Sequence, residues 1–215
     1  MISIERYLLL IILWLAWCAL HSVLISLPVT NALERLLGVN FRFYRLIYNL
    51  ISIVTLIAPV SVSLSVQRSE TALFAWSGMF EMVRYLLIAT ALFLFVSGGK
   101  HYDIRYFLGV SQVCTRRTSH LLNDHNVFTV SGISAIIRHP WYLGGILMIW
   151  SLPKEFFAST VITAVILSGY FFVGTILEER KLVKHLGETY RAYQQDVSML
   201  FPVKWFKRLF FHNNK

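Results

Sequence analysis

The sequence predicts an all-α integral membrane protein, a bundle of about five transmembrane helices in a single domain covering residues 1–215. Of the 215 residues, 56% are apolar and only 14% are charged, and the mean hydropathy is +0.60. A soluble domain of this length carries about 25% charged residues, so this chain has too little polar surface to cover itself in water. This composition excludes a disordered chain, a fibrous chain and most soluble enzymes.

Five charge-free apolar runs define the predicted spans. A helix needs roughly 20 residues, at about 1.5 Å each, to cross about 30 Å of hydrocarbon. The first, second and fifth runs are long enough, and the third becomes so if Glu81 and Arg84 neutralise each other at their i,i+3 spacing. The fourth is short and ends at Pro153, which predicts an antiparallel hairpin with the fifth. The predicted spans are 7–27, 46–67, 79–99, 140–153 and 156–177.

The basic residues predict the orientation of the chain. Five crossings place sixteen of the 20 Lys and Arg residues on one side of the membrane and four on the other. The positive-inside rule then puts the N-terminus outside, and the C-terminus with segments 98–140 and 178–215 in the cytoplasm. These cations flank hydrophobic runs and form no continuous patch, so the net charge of +9 does not predict nucleic-acid binding.

The cysteines and histidines do not predict a metal centre. The two cysteines, Cys18 and Cys114, form no CxxC pair, so neither a thiolate zinc site nor a disulfide framework is indicated. His120, Asp124 and His125 lack further ligands at a supporting spacing. We therefore expect no metal.

The first cytoplasmic cluster is Arg138-His139-Pro140, at the start of the fourth span. Pro140 suits the first position of a helix and biases His139 away from helical geometry. The unsatisfied amides of such a helix start can hold a polar or anionic ligand. Alternatively, Arg138 and His139 merely anchor the helix at the headgroup level.

The second cluster, Glu178-Glu179, follows the fifth span, with Tyr190 and Tyr193 further along the tail. Two adjacent carboxylates at a membrane edge are costly unless they face water, cations or a ligand. They either belong to a binding site or pair with Arg and Lys residues along a solvated helix.

Together the clusters carry a resemblance to a known superfamily. The motifs are Gly132-x5-Arg138-His139-Pro140-x-Tyr142-x-Gly144 and Glu178-Glu179-x7-Gly187-x2-Tyr190-x2-Tyr193. Their order resembles the isoprenylcysteine carboxyl methyltransferase and phospholipid methyltransferase superfamily. Ala19-Leu20-His21-Ser22, Phe43-Tyr44-Arg45-Leu46-x-Tyr48-Asn49 and Tyr102-Asp103-x2-Tyr106-Phe107-Leu108-Gly109 are more similar to its NnrU-like bacterial branch.

The resemblance implies a bacterial inner-membrane methyltransferase that binds S-adenosylmethionine at the cytoplasmic face while a small or lipophilic acceptor enters from the lipid. The implied cofactor-binding residues are Gln112, Asn126, Val127, Phe128, Thr129, Ser134, His139, Pro140, Trp141, Tyr142 and Glu178. Two positions depart from the family. Ser134 replaces a frequent aromatic, and Gly174 stands where the eukaryotic prenylcysteine enzymes carry a substrate-binding Arg, so a prenylcysteine carboxylate is not the expected acceptor.

Candidate acceptor-binding residues are His21, Arg45 and Asn49 in the N-terminal part of the chain. Alternatively, His21 hydrogen-bonds to the second span, and the other two belong to an interfacial anchor. Methyl transfer from a sulfonium is a direct displacement, which needs alignment more than a base. We therefore name no catalytic residue, and we leave the oligomeric state open.

Two other functions stay open at this point. A nicotinamide-dependent, sterol-reductase-like enzyme shares an Arg-His-Pro-x-Tyr segment, although such proteins usually have more spans than 215 residues supply. A non-enzymatic NnrU-like accessory protein of the membrane is the second alternative.

Overall fold

The computed structural model describes residues 4–99, 105, 108–115 and 130–211, and these are predominantly helical. The α-helices with described bounds are α1 (Ile4–Leu24), α2 (Leu27–Leu37), α3 (Tyr44–Gln67), α4 (Met79–Gly99), α5 (Val110–Thr115), α6 (Pro140–Ser151), α7 (Ala158–Leu186), α8 (Glu188–Asp196) and α9 (Val203–Phe211). Two 3-10 helices cover Gly38–Phe43 and Gly132–Ala135. Strands β1 (Phe74–Ala75) and β2 (Glu155–Phe156) pair antiparallel, with Phe74 opposite Phe156.

Four described stretches are long and apolar enough to cross a membrane: Ile4–Leu24, Leu27–Gln67, Met79–Gly99 and Ala158–Leu186. The predicted all-α membrane fold class is therefore confirmed, and α4 has the predicted bounds of the third span. Helix α6 has only 12 residues, about 18 Å at 1.5 Å per residue, which is shorter than the hydrocarbon core. The five-crossing count, and the orientation derived from it, stay predictions.

The chain divides into two compact units. The described residues of the first unit lie within Met1–Ala75, Tyr102–His125 and Glu155–Leu167. Those of the second lie within Trp76–His101, Asn126–Lys154 and Ser168–Lys215. The organisation of the whole chain as a single domain stays a prediction.

In the first unit, tryptophans hold α1 against α3. The indole of Trp14 donates to Ser63 Oγ at 3.4 Å, and that of Trp17 donates to the carbonyl of Ser52 at 3.0 Å. Such bonds suit tryptophan in an apolar surrounding, because the ring packs while its N–H finds an acceptor. They fix α1 along the length of α3.

A carboxylate in the first unit caps the start of α7. Glu70 Oε1 accepts the backbone N–H of Ser159 at 3.1 Å and the phenolic hydroxyl of Tyr7 at 2.5 Å. The first N–H groups of a helix lack partners within the helix, and a negative charge there is favourable. Glu70 thereby ties the start of α7 to α1.

In the second unit, small residues allow α4 and α6 to approach closely. A Cβ added at Gly144 would lie 3.3 Å from the carbonyl oxygen of Ala91, so a larger side chain would push the helices apart.

The sequence predicted that Arg84 of α4 would neutralise the charge of Glu81. Its Nε instead donates to the carbonyl of Ser151 at 2.8 Å, and its Nη2 to that of Leu152 at 2.9 Å. Arg84 thus caps the C-terminal end of α6.

Candidate functional site

The start of α6 and the C-terminal part of α7 meet in the second unit. Pro140 is the first residue of α6, and His139 precedes it with a non-helical φ of −124° and ψ of 67°. Proline disfavours helical geometry in the residue before it. The chain therefore turns at His139, which directs Arg138 and His139 toward α7.

Glu179 of α7 is the centre of the resulting polar network. Arg138 donates to both of its oxygens, from Nε to Oε1 at 2.6 Å and from Nη2 to Oε2 at 2.9 Å. Gln194 Nε2 adds a hydrogen bond to Oε2 at 2.8 Å, and His139 Nε2 lies 3.1 Å from Oε1. The side chains of Arg138 and Glu179 are only 7% and 11% exposed, so this forked ion pair is strong and largely shielded from water.

The segment after α8 is joined to the segment before α6 through the backbone. The N–H of Arg138 donates to the carbonyl of Ser198 at 2.9 Å, and that of His139 donates to the carbonyl of Met199 at 3.1 Å. Ile137 and Ser198 form a short parallel bridge. Arg138 Nη1 also donates to the carbonyl of Val197. The C-terminal tail thus holds the Arg-His-Pro turn in place.

Two buried tyrosines of α8 complete the network. The hydroxyl of Tyr190 lies 3.5 Å from Glu179 Oε1, and that of Tyr193 donates to the carbonyl of Ser134 at 2.5 Å. Burial raises the pKa of Tyr193 to about 12. Burial and the nearby Glu179 carboxylate also raise the pKa of Tyr190. Both phenols carry their protons at neutral pH, as tyrosines ordinarily do, and can act as donors.

Glu178, the predicted cofactor carboxylate, differs from its neighbour Glu179. Its side chain is 26% exposed, and its Oε2 lies 3.9 Å from His139 Nδ1, beyond hydrogen-bond distance. Among the residues that the structure describes, Glu178 accepts no hydrogen bond. The oxygens of Glu179, in contrast, accept hydrogen bonds from Arg138, His139 and Gln194.

The other predicted cofactor residues around α6 lie in different surroundings. The ring of Tyr142 stands edge-to-face to His139 at 5.6 Å and to Phe171 at 5.8 Å. Pro140 is buried at the start of the helix. Trp141 instead points to α4, where its indole donates to the carbonyl of Phe95 at 3.1 Å.

Gly174 and Ser134, the two departures from the family pattern, also lie in the second unit. A Cβ at Gly174 would lie 3.4 Å from the Tyr142 ring, so the space next to the glycine is occupied by that ring. Ser134 lies in the 3-10 helix Gly132–Ala135 and contributes its carbonyl to Tyr193.

Several predicted residues are placed elsewhere. Gln112 is a buried residue of the first unit. Asn126, Val127, Phe128 and Thr129 lie outside the described residues, as do His120, Asp124 and His125. Among the described residues, no group of three His, Cys, Asp or Glu side chains could hold a metal ion.

The candidate acceptor residues lie in the first unit. His21 Nε2 is 2.6 Å from the hydroxyl of Tyr48, and its Nδ1 is 3.0 Å from Ser52 Oγ. These contacts support the alternative that His21 joins α1 to α3. Asn49 Nδ2 donates to the carbonyl of Leu108 at 3.1 Å, and a Cβ at Gly109 would lie 3.1 Å from Arg45 Cβ. An acceptor-binding role for the three residues stays a prediction.

A cavity of about 350 Å³ opens beside the network. It is an open depression, and none of the predicted cofactor-binding residues lines it. Glu179 and Gln194 form its polar wall. The full lining is Ile176, Glu179, Arg180, Val183 and Gln194.

Sequence reasoning did not single out Gln194 or the central role of Glu179. Adjacent residues on a helix point about 100° apart, so Glu178 and Glu179 meet different surroundings, although both carboxylates approach the His139 ring. The sequence signal for Glu179 was its helical spacing from two apolar residues. Ile176, Glu179 and Val183 share one face of α7, and this face meets Gln194. That spacing needs knowledge of where α8 packs.

The known proteins that this chain resembles in sequence are named as methyltransferases. Methanethiol S-methyltransferase 1 of Bradyrhizobium diazoefficiens is 34% identical over 121 residues, 55% of this chain and 38% of that protein. Methanethiol S-methyltransferase of Pseudomonas sp. (strain GM41(2012)) is 40% identical over 67 residues, 31% of this chain and 25% of that protein. Protein-S-isoprenylcysteine O-methyltransferase of Schizosaccharomyces pombe is 31% identical over 85 residues, 38% of this chain and 35% of that protein.

The chain therefore spans well under half the length of these relatives. No solved structure matches the chain. The family model described as NnrU protein, in contrast, matches residues 9–205. Because this match covers nearly the whole sequence, the chain belongs to the NnrU protein family.

Proposed function

We propose that this chain is a membrane methyltransferase of the EC 2.1.1 class that uses S-adenosylmethionine and methylates a small or lipophilic acceptor. The observation that carries the proposal is the pairing of an occupied carboxylate, Glu179, with an available one, Glu178, beside the His139-Pro140 turn. The relatives named as methyltransferases support the same chemistry. A bacterial inner-membrane location, with the N-terminus outside, belongs to the proposal.

The residues present fit the cofactor by their chemistry. No described residue donates to Glu178, whose oxygens could accept hydroxyl or ammonium groups, and an aromatic ring such as that of Tyr142 is of a type that binds flat bases and cations. When bound, S-adenosylmethionine supplies the methyl group from its sulfonium. Glu178, His139 and Tyr142 would hold the cofactor at the start of α6.

The protein's own contribution is alignment of the reacting groups. The Arg138–Glu179 pair and the Tyr193–Ser134 bond hold the turn before α6 rigid, so the groups that bind the cofactor keep their positions. A thiol acceptor would have to lose its proton. His139 Nε2 is engaged with Glu179, and we assign His139 a positioning role and name no general base.

The residue at position 174 distinguishes two classes of methyl acceptor, those with a carboxylate and those without one. The eukaryotic prenylcysteine enzymes carry a substrate-binding Arg there, whereas this chain has a glycine against Tyr142. Without that cation, a carboxylate acceptor lacks its partner. We therefore propose an uncharged acceptor, and the relatives named for methanethiol make a small thiol the first to test.

Two titrations of the purified full chain test the function. Isothermal titration with S-adenosylhomocysteine is expected to show binding, and titration with NADPH is expected to show none. The methyl group of labelled S-adenosylmethionine should then appear on methanethiol or in a lipid extract. Binding of NADPH alone would support the reductase alternative, and binding of neither would support the accessory role.

Glu178→Ala is expected to weaken S-adenosylhomocysteine binding more than tenfold, or about 1.4 kcal/mol, because it removes an available carboxylate from the site. Isothermal titration measures the change. Glu188→Ala is the matched control, since Glu188 pairs only with Arg191 at an exposed position of α8 in the part of the chain that the structure describes. An affinity that Glu178→Ala leaves unchanged would remove Glu178 from the site.

A further inference from the structure

Helix α9 (Val203–Phe211) is strongly amphipathic. At about 100° per residue, the apolar residues between Val203 and Phe210 occupy one arc of the helix and the three cations another. Val203, Trp205, Phe206, Leu209 and Phe210 form the apolar arc, and each of them is between 38% and 68% exposed. Lys204, Lys207 and Arg208 are the cations.

The basic side of α9 faces the protein. Lys204 Nζ donates to the carbonyls of Gln194 and Gln195, at 2.7 and 2.8 Å. Arg208 Nη2 donates to the carbonyl of Asp196 at 2.6 Å and to its carboxylate at 3.0 Å. These are acceptors at the C-terminal end of α8, where cations are favourable. The contacts fix the rotation of α9 about its axis.

That rotation turns the aromatic face outward. Phe206 and Phe210 stack on each other with their rings 6.3 Å apart and 12° from parallel, and they are 47% and 68% exposed. Large apolar side chains grouped in this way mark a contact surface. A helix with an aromatic apolar face and flanking lysines has the composition of a helix that lies in a membrane interface.

A lysine at the edge of this aromatic face indicates which kind of surface the face contacts. Among the described residues, Lys207 forms no hydrogen bond or ion pair, and it lies at the border of the apolar arc. A lysine at such a border can place its ammonium group among lipid headgroups while its aliphatic stem stays in hydrocarbon. Lysine near a membrane surface attracts anionic lipid. We propose that α9 docks onto an anionic phospholipid surface, with its aromatic face in the headgroup and acyl boundary.

The docked helix would also be connected to the candidate site. The carbonyl of Gln194 accepts both Lys204 Nζ at 2.7 Å and Arg138 Nη1 at 3.1 Å, and the Gln194 side chain donates to Glu179. Gln194 thus contacts both α9 and the Arg138–Glu179 pair. The docking itself does not depend on the proposed methyl transfer.

Spin labelling of the full chain tests the docking. A nitroxide is attached at Leu209→Cys, with Cys114→Ser removing the exposed native thiol. The matched control carries the label at Ala192→Cys, an exposed position on α8. Both proteins are reconstituted in vesicles of phosphatidylcholine alone and of an equimolar mixture with phosphatidylglycerol. Accessibility to oxygen, which partitions into lipid, is compared with accessibility to a water-soluble nickel chelate.

In the mixed vesicles, the label at position 209 is expected to favour oxygen and the label at position 192 to favour nickel. Lys207→Gln should shift the docked-to-undocked ratio at position 209 roughly fivefold toward the undocked state, because one lysine near an anionic surface contributes about 1 kcal/mol. Lys207→Arg should restore the ratio.

Three results would overturn the proposal. Equal nickel accessibility at positions 209 and 192 would show that α9 does not enter the membrane interface. Equal depth in both lipid compositions would show that the anionic headgroups are not recognised. Dipolar broadening between labels at position 209 on different molecules would show that a second copy covers the face instead.

Discussion

Glu179→Ala is expected to lower the free energy of unfolding by about 3–5 kcal/mol, the cost of breaking a buried ion pair from one side. The side chain of Arg138 is 7% exposed and directs Nε and Nη2 at the Glu179 carboxylate. Without that carboxylate, the guanidinium stays buried with an uncompensated charge. Gln194 and His139 lose their acceptor at the same time.

Thermal unfolding of the purified protein in detergent micelles measures this loss. Glu178→Ala is the matched control, because it removes the same chemical group one residue away, where no described residue donates to it and the side chain is 26% exposed. We expect Glu178→Ala to affect ligand affinity and Glu179→Ala to affect stability. Equal loss of stability in the two variants would show that Glu179 is not the structural carboxylate.

A double-mutant cycle distinguishes the ion pair from a simple loss of packing. Arg138→Met combined with Glu179→Met leaves no buried charge unpaired, and such replacements are often nearly neutral. The double variant is therefore expected to be more stable than either single variant, with a coupling energy between the two residues. Additive losses would contradict a direct interaction.

Local sequence signals predicted the parts of the fold that depend on local chemistry. The third span was predicted at 79–99, and α4 runs over Met79–Gly99, because hydropathy reports directly on where a chain can sit in lipid. Pro140 marked the start of α6 for an equally local reason, since proline fixes its own φ and restricts the residue before it. The two polar clusters, which the predicted orientation places on one side of the membrane, are in contact in the structure.

Features that depend on packing could not be predicted in the same way. The pairing of Phe74 with Phe156 joins residues far apart in sequence, and each strand has only two residues. Nothing in Arg84 itself indicates that it caps the carbonyls at the end of α6. The division of roles between Glu178 and Glu179 depends on the rotation of α7, which is set by contacts with α8 and with Arg138.

Gly98→Ala is expected to destabilise the protein by about 1–3 kcal/mol, the usual cost of an added group in a tightly packed site. A Cβ at position 98 would lie 2.5 Å from Cδ1 and 2.7 Å from Nε1 of Trp141, and 3.1 Å from Cγ of Pro140. Trp141 cannot retreat without losing its hydrogen bond to the carbonyl of Phe95. The first turn of α6 must therefore shift away from α4.

This shift would also reach the candidate site, because Pro140 follows His139 directly and His139 contacts Glu179. Weaker binding of S-adenosylhomocysteine should accompany the fall in melting temperature of Gly98→Ala. Gly169→Ala is the control, since a Cβ there would meet nothing within 4 Å and alanine favours the helical conformation. It should leave both properties unchanged or raise the melting temperature slightly. Unchanged stability in Gly98→Ala would show that α4 and α6 do not pack as closely as the Trp141 contact requires.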